Sequence, residues 1–173
     1  MPTHLIIDGY NLLGGGGSVF GRLESARDTL VRELAAYRHR KNHLITVVFD
    51  GWKQGLPIEQ REHRAGVQVI YSKRGERADQ VIQRLAREYG ADCAVVSSDH
   101  EIVNAASAHG AFVMGAREFA DKLRATPGAS GALPYKELDT GDDVRLMRGP
   151  DKKGNPRKLP KSQRQRDRRL KRF

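Results

Sequence analysis

The chain has 173 residues, of which 38% are hydrophobic, and it carries one cysteine and a net charge of +10 at pH 7. A single cysteine excludes an internal disulfide, and no apolar run approaches the roughly 20 residues that a membrane-spanning helix needs. We see no basic-then-apolar leader at the N-terminus, and we therefore expect a cytoplasmic protein without membrane contact.

The positive charge is concentrated at the C-terminal end of the chain. Residues 151–173 contain eleven Lys or Arg and two Asp, and so carry nine of the ten net positive charges. We expect a globular domain at residues 1–125, a Gly- and Pro-rich linker at 126–150 and a basic, disordered tail at 151–173. Such a tail is typical of proteins that contact nucleic acid, and it would also serve as a solubilising segment.

Apolar patterning predicts strands and helices in alternation along the domain. Strands are predicted at residues 5–7, 44–49, 67–71, 93–98 and 111–114. Helices are predicted at 24–40, 78–89, from just past 99 to 110, and at 116–123, whereas 51–66 is polar and irregular. This alternation predicts an α/β fold with a central, mostly parallel five-stranded sheet that is covered by helices on both faces.

Acidic residues follow three of the predicted strands. Asp8 comes after the first strand, Asp50 after the second and Asp99 after the fourth. Because the carboxyl ends of parallel strands meet at one edge of a sheet, we expect these side chains to lie close together. Glu76 and Asp79 open the helix after the third strand at the same edge, and their spacing places them on one helix face.

Several carboxylates in one crevice predict a site for a divalent cation. Without a cation they would repel one another and raise each other's pKa. Oxygen ligands suit Mg²⁺ or Mn²⁺, the ions that assist phosphodiester hydrolysis. Each acid also has a structural explanation, since Asp-Gly pairs form turns and acids are favoured at helix starts. The joint placement of the acids is what favours a metal site.

Polar residues beside the acids are candidates for supporting roles. Asn11 is placed to orient a ligating carboxylate or to contact a phosphate, and it would also suit a turn. Ser97 and Ser98 are placed to donate to Asp99 or to a phosphate, or to cap the helix that follows.

Four segments together resemble the YacP-like NYN domain family, a branch of the PIN-like ribonuclease superfamily. They are LIIDGYNLL, VVFDG, GERADQVI and AVVSSDHEI, and the resemblance covers residues 3–125. It implies a PIN-like three-layer sandwich and a divalent-metal-dependent endoribonuclease that uses Mg²⁺ or Mn²⁺. By position, the resemblance implies catalytic roles for Asp8, Asp79, Asp99 and Asn11, and metal ligation by Asp8, Asp79, Asp99, Glu76 and Asp50.

Basic and aromatic residues are candidate contacts for RNA. Lys73, Arg74 and Arg77 precede Asp79, where they would hold phosphates or form a solvated loop. Trp52 lies in a polar segment and would stack on a base or pack onto the core. The tail residues that we expect to contact RNA or the ribosome are Lys152, Lys153, Arg157, Lys158, Arg164, Arg166, Arg168 and Arg169.

Other functions are compatible with the same residues. A non-catalytic RNA-binding protein of the same fold and a DNA-directed nuclease are the main alternatives, since RNA in place of DNA rests on the resemblance alone. A nucleotide-binding or phosphatase-like α/β domain is favoured only by Gly14–Gly17, which lack the Lys and Ser or Thr of a P-loop. His39 and His43 have no surrounding ligand pattern, and we do not expect a zinc site there.

Overall fold

The computed structural model of the protein describes residues 3–14, 20–51, 55, 57–125 and 160–173. Its contacts divide the chain into two units, Met1–Ala125 and Thr126–Phe173. The predicted linker at 126–150 lies outside the described residues. Within the described ranges, no helix is both long enough and apolar enough to cross a membrane.

The first unit is built on a six-stranded sheet. In chain order the strands are β1 His4–Asp8, β2 Leu44–Phe49, β3 Gln60–Arg64, β4 Val67–Tyr71, β5 Cys93–Val96 and β6 Phe112–Met114. Their order across the sheet is β3-β4-β2-β1-β5-β6, and every neighbouring pair is parallel except β3 with β4. The inner strands are continuous apolar runs because helices cover both faces of the sheet.

The sequence predicted five strands, and the structure adds β3. This strand pairs antiparallel with β4 from Gln60 opposite Tyr71 to Arg64 opposite Val67. Ala65 and Gly66 both have positive φ angles, of 50° and 82°, and make the tight turn between the two strands. β3 lies at the sheet edge and is mostly exposed, so it lacks the apolar alternation that reveals a strand in a sequence.

The described residues of the first unit form five α-helices. They are α1 Gly9–Leu12, α2 Phe20–Lys41, α3 Ala78–Tyr89, α4 His100–Ala108 and α5 Ala116–Arg124. Helices α3 and α4 contact each other and share a core with one face of the sheet, while α2 contacts β2, β4 and α5. The three-layer PIN-like sandwich is therefore confirmed, with α1 as a short addition where the sequence suggested a turn.

Two sets of contacts hold these layers together. The apolar stripe of α3, including Val81 and Ile82, packs against Ile6 of β1 in a buried cluster. Between α2 and α5, Arg40 donates to the backbone carbonyl oxygens of Leu123 and Ala125, each at 3.0 Å. These bonds satisfy carbonyls that the end of α5 would otherwise leave without a helical partner.

The described part of the second unit is a helix, α6, at Lys161–Leu170. Here the structure differs from the expectation of a disordered tail, whereas residues 151–159 lie outside the described range. Pro160 directly precedes the helix, at a position where its missing N–H costs nothing. Arg, Lys and Gln are good helix formers, so intrinsic propensity outweighs the lack of an apolar face here.

Candidate active site

The candidate site lies where the chain changes direction across the sheet. After β1 the chain builds β2 and β4 on one side, and it then returns to place β5 on the other side of β1. Asp8 is in register with Val48, and Ile7 is in register with Val96. The segments that follow β1, β2 and β5 therefore leave the sheet at one edge, the position where open α/β sheets bind ligands.

Asp8 is almost completely buried at this edge, with 7% of its surface exposed. Its Oδ1 accepts the backbone N–H of Asn11 at 3.2 Å, and its Oδ2 accepts the hydroxyl of Ser97 at 3.3 Å. Burial, with a contribution from the charges of Asp79 and Asp50, raises the pKa of Asp8 to about 6, although both hydrogen bonds act to lower it.

Asp50 connects the end of β2 to the start of α3. Its Oδ1 accepts the backbone N–H of Ala78 at 2.6 Å, at the first residue of the helix. The turn after Asp50 is held by Ser72, whose N–H donates to Phe49 at 3.0 Å and whose Oγ accepts the N–H of Gly51 at 3.1 Å. The sequence reasoning missed Ser72; a small polar residue directly after a buried strand was the available signal.

Asp79 lies in the first turn of α3, beside this cap. Burial first, and then the charges of Asp99 and Asp50, raise the pKa of the Asp79 carboxyl. The charge of Asp79 also contributes to the raised pKa of Asp8. The structure thus brings Asp8, Asp50, Asp79 and Asp99 close enough for their charges to act on one another; we call them the acidic cluster.

Ser97 connects two members of the acidic cluster. Its hydroxyl donates to Asp8 and accepts the backbone N–H of Asp99 at 3.1 Å. Asp99 in turn caps α4, since its Oδ1 accepts the N–H of Glu101 at 2.8 Å. The capping considered for Asp99 is present in the structure, whereas Ser97 differs from the expectation, because its hydroxyl donates to Asp8 and not to the Asp99 carboxylate.

Asn11 has a fixed orientation beside the cluster. Its Oδ1 accepts the backbone N–H of Ser98 at 2.9 Å, and because a backbone N–H only donates, the amide cannot be flipped. The Nδ2 hydrogens of Asn11 are the groups left to donate to a ligand. The Oγ of Ser98 accepts the N–H of Ala116 at 3.1 Å, at the start of α5, and its hydroxyl hydrogen remains a donor.

Glu76 is engaged differently from the aspartates. Its Oε1 forms an ion pair with Arg84 at 2.9 Å, and Arg84 also pairs with Glu59. The Oε2 of Glu76 is buried without a hydrogen-bond partner among the described residues. Glu76 nonetheless shares a cleft of about 960 Å³ with two members of the acidic cluster; its lining comprises Asp50, Gly55, Arg74, Gly75, Glu76, Arg77 and Asp79.

The basic residues predicted to contact RNA beside the site are exposed. Lys73, Arg74 and Arg77 form no ion pair within the described ranges, and Arg74 and Arg77 line the cleft. By contrast, Arg61 and Arg64 are each paired with an acidic side chain. Arg74 and Arg77 therefore place positive charge that is available to a phosphate at the cleft.

The remaining predicted RNA contacts fall into two groups. Arg164, Arg166, Arg168 and Arg169 lie on α6, where all four are exposed. Five others lie outside the described residues: Trp52, Lys152, Lys153, Arg157 and Lys158.

The chemistry of the acidic cluster fits a hard divalent cation. All the side-chain oxygens that the cluster offers to a metal are carboxylate oxygens. Burial, and to a smaller extent the neighbouring carboxylates, raise the pKa of Asp8 and Asp79, and a bound cation would stabilise their ionised forms. The second carboxylate oxygens of Asp50 and Asp99 accept no hydrogen bond from the described residues and are available to a ligand. Over the same residues, no group of three or more His, Cys, Asp or Glu is arranged to hold a metal ion in this conformation.

Comparisons with known proteins identify the sequences and structures that this chain resembles. The model of the YacP-like NYN domain matches residues 5–143, a segment that contains the whole acidic cluster. The YacP protein of Bacillus subtilis (strain 168) is 34% identical over 122 residues, which make up 66% of this chain and 71% of that protein.

Solved structures show the same likeness. A crystal structure of a mutant of Rae1 (YacP) from Bacillus subtilis aligns with a TM-score of 0.57 at 30% identity, covering 71% of this chain and 75% of that one. A second crystal structure of Rae1 (YacP) aligns with a TM-score of 0.55 at 28% identity, covering 69% of this chain and 72% of that one.

Proposed function

The chain belongs to the YacP-like NYN domain family, whose members are nuclease-like and RNA-related, and on that premise we propose that it is a metal-dependent endoribonuclease. The acidic cluster is the observation that carries the proposal. Burying mutually repelling carboxylates lowers the stability of a fold, and such clusters are characteristic of functional sites. Here the effect is large enough to raise the pKa of Asp8 to about 6.

We assign the metal to Asp8, Asp79 and Asp99, with Asp50 as a further ligand and Glu76 as an outer one. The chemistry that Mg²⁺ or Mn²⁺ supplies in such a site is activation of water and neutralisation of phosphate charge. Asp50 also fixes the turn of α3 that carries Asp79.

Residues of the chain also position the substrate. The Nδ2 group of Asn11 donates to a phosphate oxygen, because its Oδ1 is already bound to Ser98. Arg74 and Arg77, which line the cleft, and Lys73, which directly precedes Arg74, hold the flanking phosphates of the strand. RNA is the substrate on the strength of the family, the cytoplasm is its place of action, and the ribosome is a candidate partner.

The proposal is tested by the cleavage of structured RNAs and of matched DNAs in Mg²⁺ or Mn²⁺. We expect the wild type to cut RNA, and we expect Asp8→Asn to reduce the rate by on the order of 100-fold while RNA binding is retained. Asp92→Asn is the matched control, because it also removes one carboxylate charge. Asp92 directly precedes β5, at the end of that strand opposite to the acidic cluster.

Each of the other outcomes would contradict a different part of the proposal. Tight RNA binding without cleavage by the wild type would identify a non-catalytic RNA-binding protein of the same fold. Equal cleavage of RNA and DNA would identify a nuclease that does not select RNA. An equal loss of activity in Asp92→Asn and Asp8→Asn would remove the special role of the acidic cluster.

A further inference from the structure

Helix α6 carries a stripe of four cations along one face. Lys161, Arg164, Arg168 and Lys171 are separated by three, four and three residues, the spacing that aligns side chains on an α-helix. Lys171 keeps helical backbone angles as the C-terminal cap. At the helical rise, the stripe extends over about 15 Å.

The charges of this cationic stripe are not neutralised within the described residues. All four side chains are exposed, and none of them takes part in an ion pair there. Asp167, the acid within α6, is not paired with them either. A polyanion would therefore meet four available charges that a folded helix holds in a fixed line.

The stripe lacks the aromatic residues that single-stranded sites use. Proteins that bind single strands combine cations with aromatic side chains on which unpaired bases stack. Helix α6 contains no aromatic residue, and Phe173, just beyond it, is buried. In a double helix the bases are already stacked and paired, so binding depends mainly on the phosphate backbone and on groove shape.

We propose that the cationic stripe binds the phosphate backbone of an RNA double helix. The inference rests on the proposed function for the choice of RNA over DNA, and it specifies the substrate class as RNA that contains a base-paired segment. Because α6 is already helical, binding does not have to order this segment, which lowers the conformational cost relative to a disordered tail.

The test compares two variants of the full chain that lose the same charge. The stripe variant changes all four cations of the stripe to Gln: Lys161→Gln, Arg164→Gln, Arg168→Gln and Lys171→Gln. The control variant changes four exposed cations of the first unit to Gln: Lys41→Gln, Arg87→Gln, Arg117→Gln and Arg124→Gln. Gln is a good helix former, so α6 is expected to survive the change, as circular dichroism would verify.

Affinity is measured with two probes over a range of salt concentrations. One is a blunt RNA duplex of about 20 base pairs, and the other is a single strand of the same length without self-complementarity. We expect the stripe variant to bind the duplex on the order of 100-fold more weakly than the wild type, with a salt slope lower by about 3 to 4. We expect the affinity of the stripe variant for the single strand to fall by less than about 3-fold. We expect the control variant to bind the duplex as tightly as the wild type does.

Three results would overturn the inference. The first is a stripe variant that binds the duplex as tightly as the wild type does. The second is a stripe variant whose affinity falls equally for the duplex and for the single strand. The third is a control variant that loses as much duplex affinity as the stripe variant does. Failure of the proposed function would give a different result. The wild type would then cleave neither the duplex nor the single strand in Mn²⁺, but the difference in duplex affinity between the wild type and the stripe variant could still be measured.

Discussion

Single carboxylates in this protein serve the fold and the candidate site together. Asp8, Asp50 and Asp99 each use one oxygen to accept a backbone N–H at the start of a helix. From the sequence, a turn at Asp8 and Asp50 and a helix cap at Asp99 were the structural alternatives to metal binding. The structure shows that capping occupies only one oxygen of each. The second oxygen of Asp50 and of Asp99 accepts no hydrogen bond from the described residues, whereas that of Asp8 accepts the Ser97 hydroxyl and keeps a further lone pair for the chemistry of the site.

At this scale we predict that Asp8→Asn stabilises the metal-free protein at pH 8. Because the folded pKa of Asp8 is raised from 3.8 to about 6, its ionisation opposes folding. The penalty is absent below about pH 3.8, grows as the pH rises to about 6 and is complete above that. The pKa shift corresponds to a destabilisation of roughly 3 kcal/mol at pH 8. Asn should recover about 1–2 kcal/mol of it and not all, because its Nδ2 cannot accept the hydrogen bond of the Ser97 hydroxyl.

Denaturant unfolding in a chelator at pH 4 and pH 8 measures this effect. The variant should gain stability over the wild type only at the higher pH, while cleavage activity is lost. A stability difference that is the same at both pH values would show that Asp8 is not destabilised by its ionisation.

At the scale of elements, Asp50 joins β2 to α3, and two substitutions separate its charge from its cap. Asn keeps an oxygen for the N–H of Ala78, whereas Ala does not. We expect Asp50→Ala to lower the free energy of unfolding by about 1 kcal/mol more than Asp50→Asn does. Both should lower the pKa of Asp79, since both remove a repelling charge.

Unfolding curves and an NMR titration of the Asp79 carboxyl give the two readouts. If Asp50→Asn were as unstable as Asp50→Ala, the cap would not be the structural role of Asp50. If the pKa of Asp79 stayed the same in both variants, the two carboxylates would not interact.

The packing of α1 against β2 requires a glycine at position 9, because a larger side chain there would clash. Gly9 begins α1, and a Cβ added there would come within 2.8 Å of Cζ of the Phe49 ring. That ring also contacts Tyr10 and Tyr71, with ring centroids 5.3 and 5.9 Å away, so it has little freedom to move. The Asp-Gly pair suggested a turn in the sequence, but close packing against Phe49 is what requires the glycine.

We therefore predict that Gly9→Ala destabilises the protein by about 2 kcal/mol. Thermal or denaturant unfolding measures the loss, and Phe49→Leu in the same chain should recover part of it by making room. A Gly9→Ala variant as stable as the wild type would show that the site accommodates the methyl group without cost.

Comparison of particular elements shows what the sequence could predict. The strands at Leu44–Phe49 and Val67–Tyr71 have the predicted bounds, because burial on both faces leaves an unmistakable apolar run. β3 and α6 have no buried face of their own, so periodicity could not identify them. Topology placed the aspartates at one edge, but the pairing of Glu76 with Arg84 depends on side-chain contacts that topology does not determine.

At the scale of the whole molecule, charge is divided unequally along the chain. Residues 151–173 carry a net charge of +9, and the remaining 150 residues carry +1. We predict that deleting residues 151–173 weakens RNA binding and flattens its salt dependence, while the single-turnover cleavage rate at saturating protein is unchanged. Unchanged RNA affinity after the deletion would show that the tail does not contact the RNA.

The most direct test of the central claim is to measure Mn²⁺ occupancy and RNA cleavage in the same preparation. Electron paramagnetic resonance would follow bound Mn²⁺ as the metal is titrated into the wild type and into Asp8→Asn. We predict that the cleavage rate of the wild type rises with occupancy, and that Asp8→Asn loses both. Cleavage that persists in a chelator, or equal Mn²⁺ binding by the two proteins, would contradict a metal-dependent nuclease built on the acidic cluster.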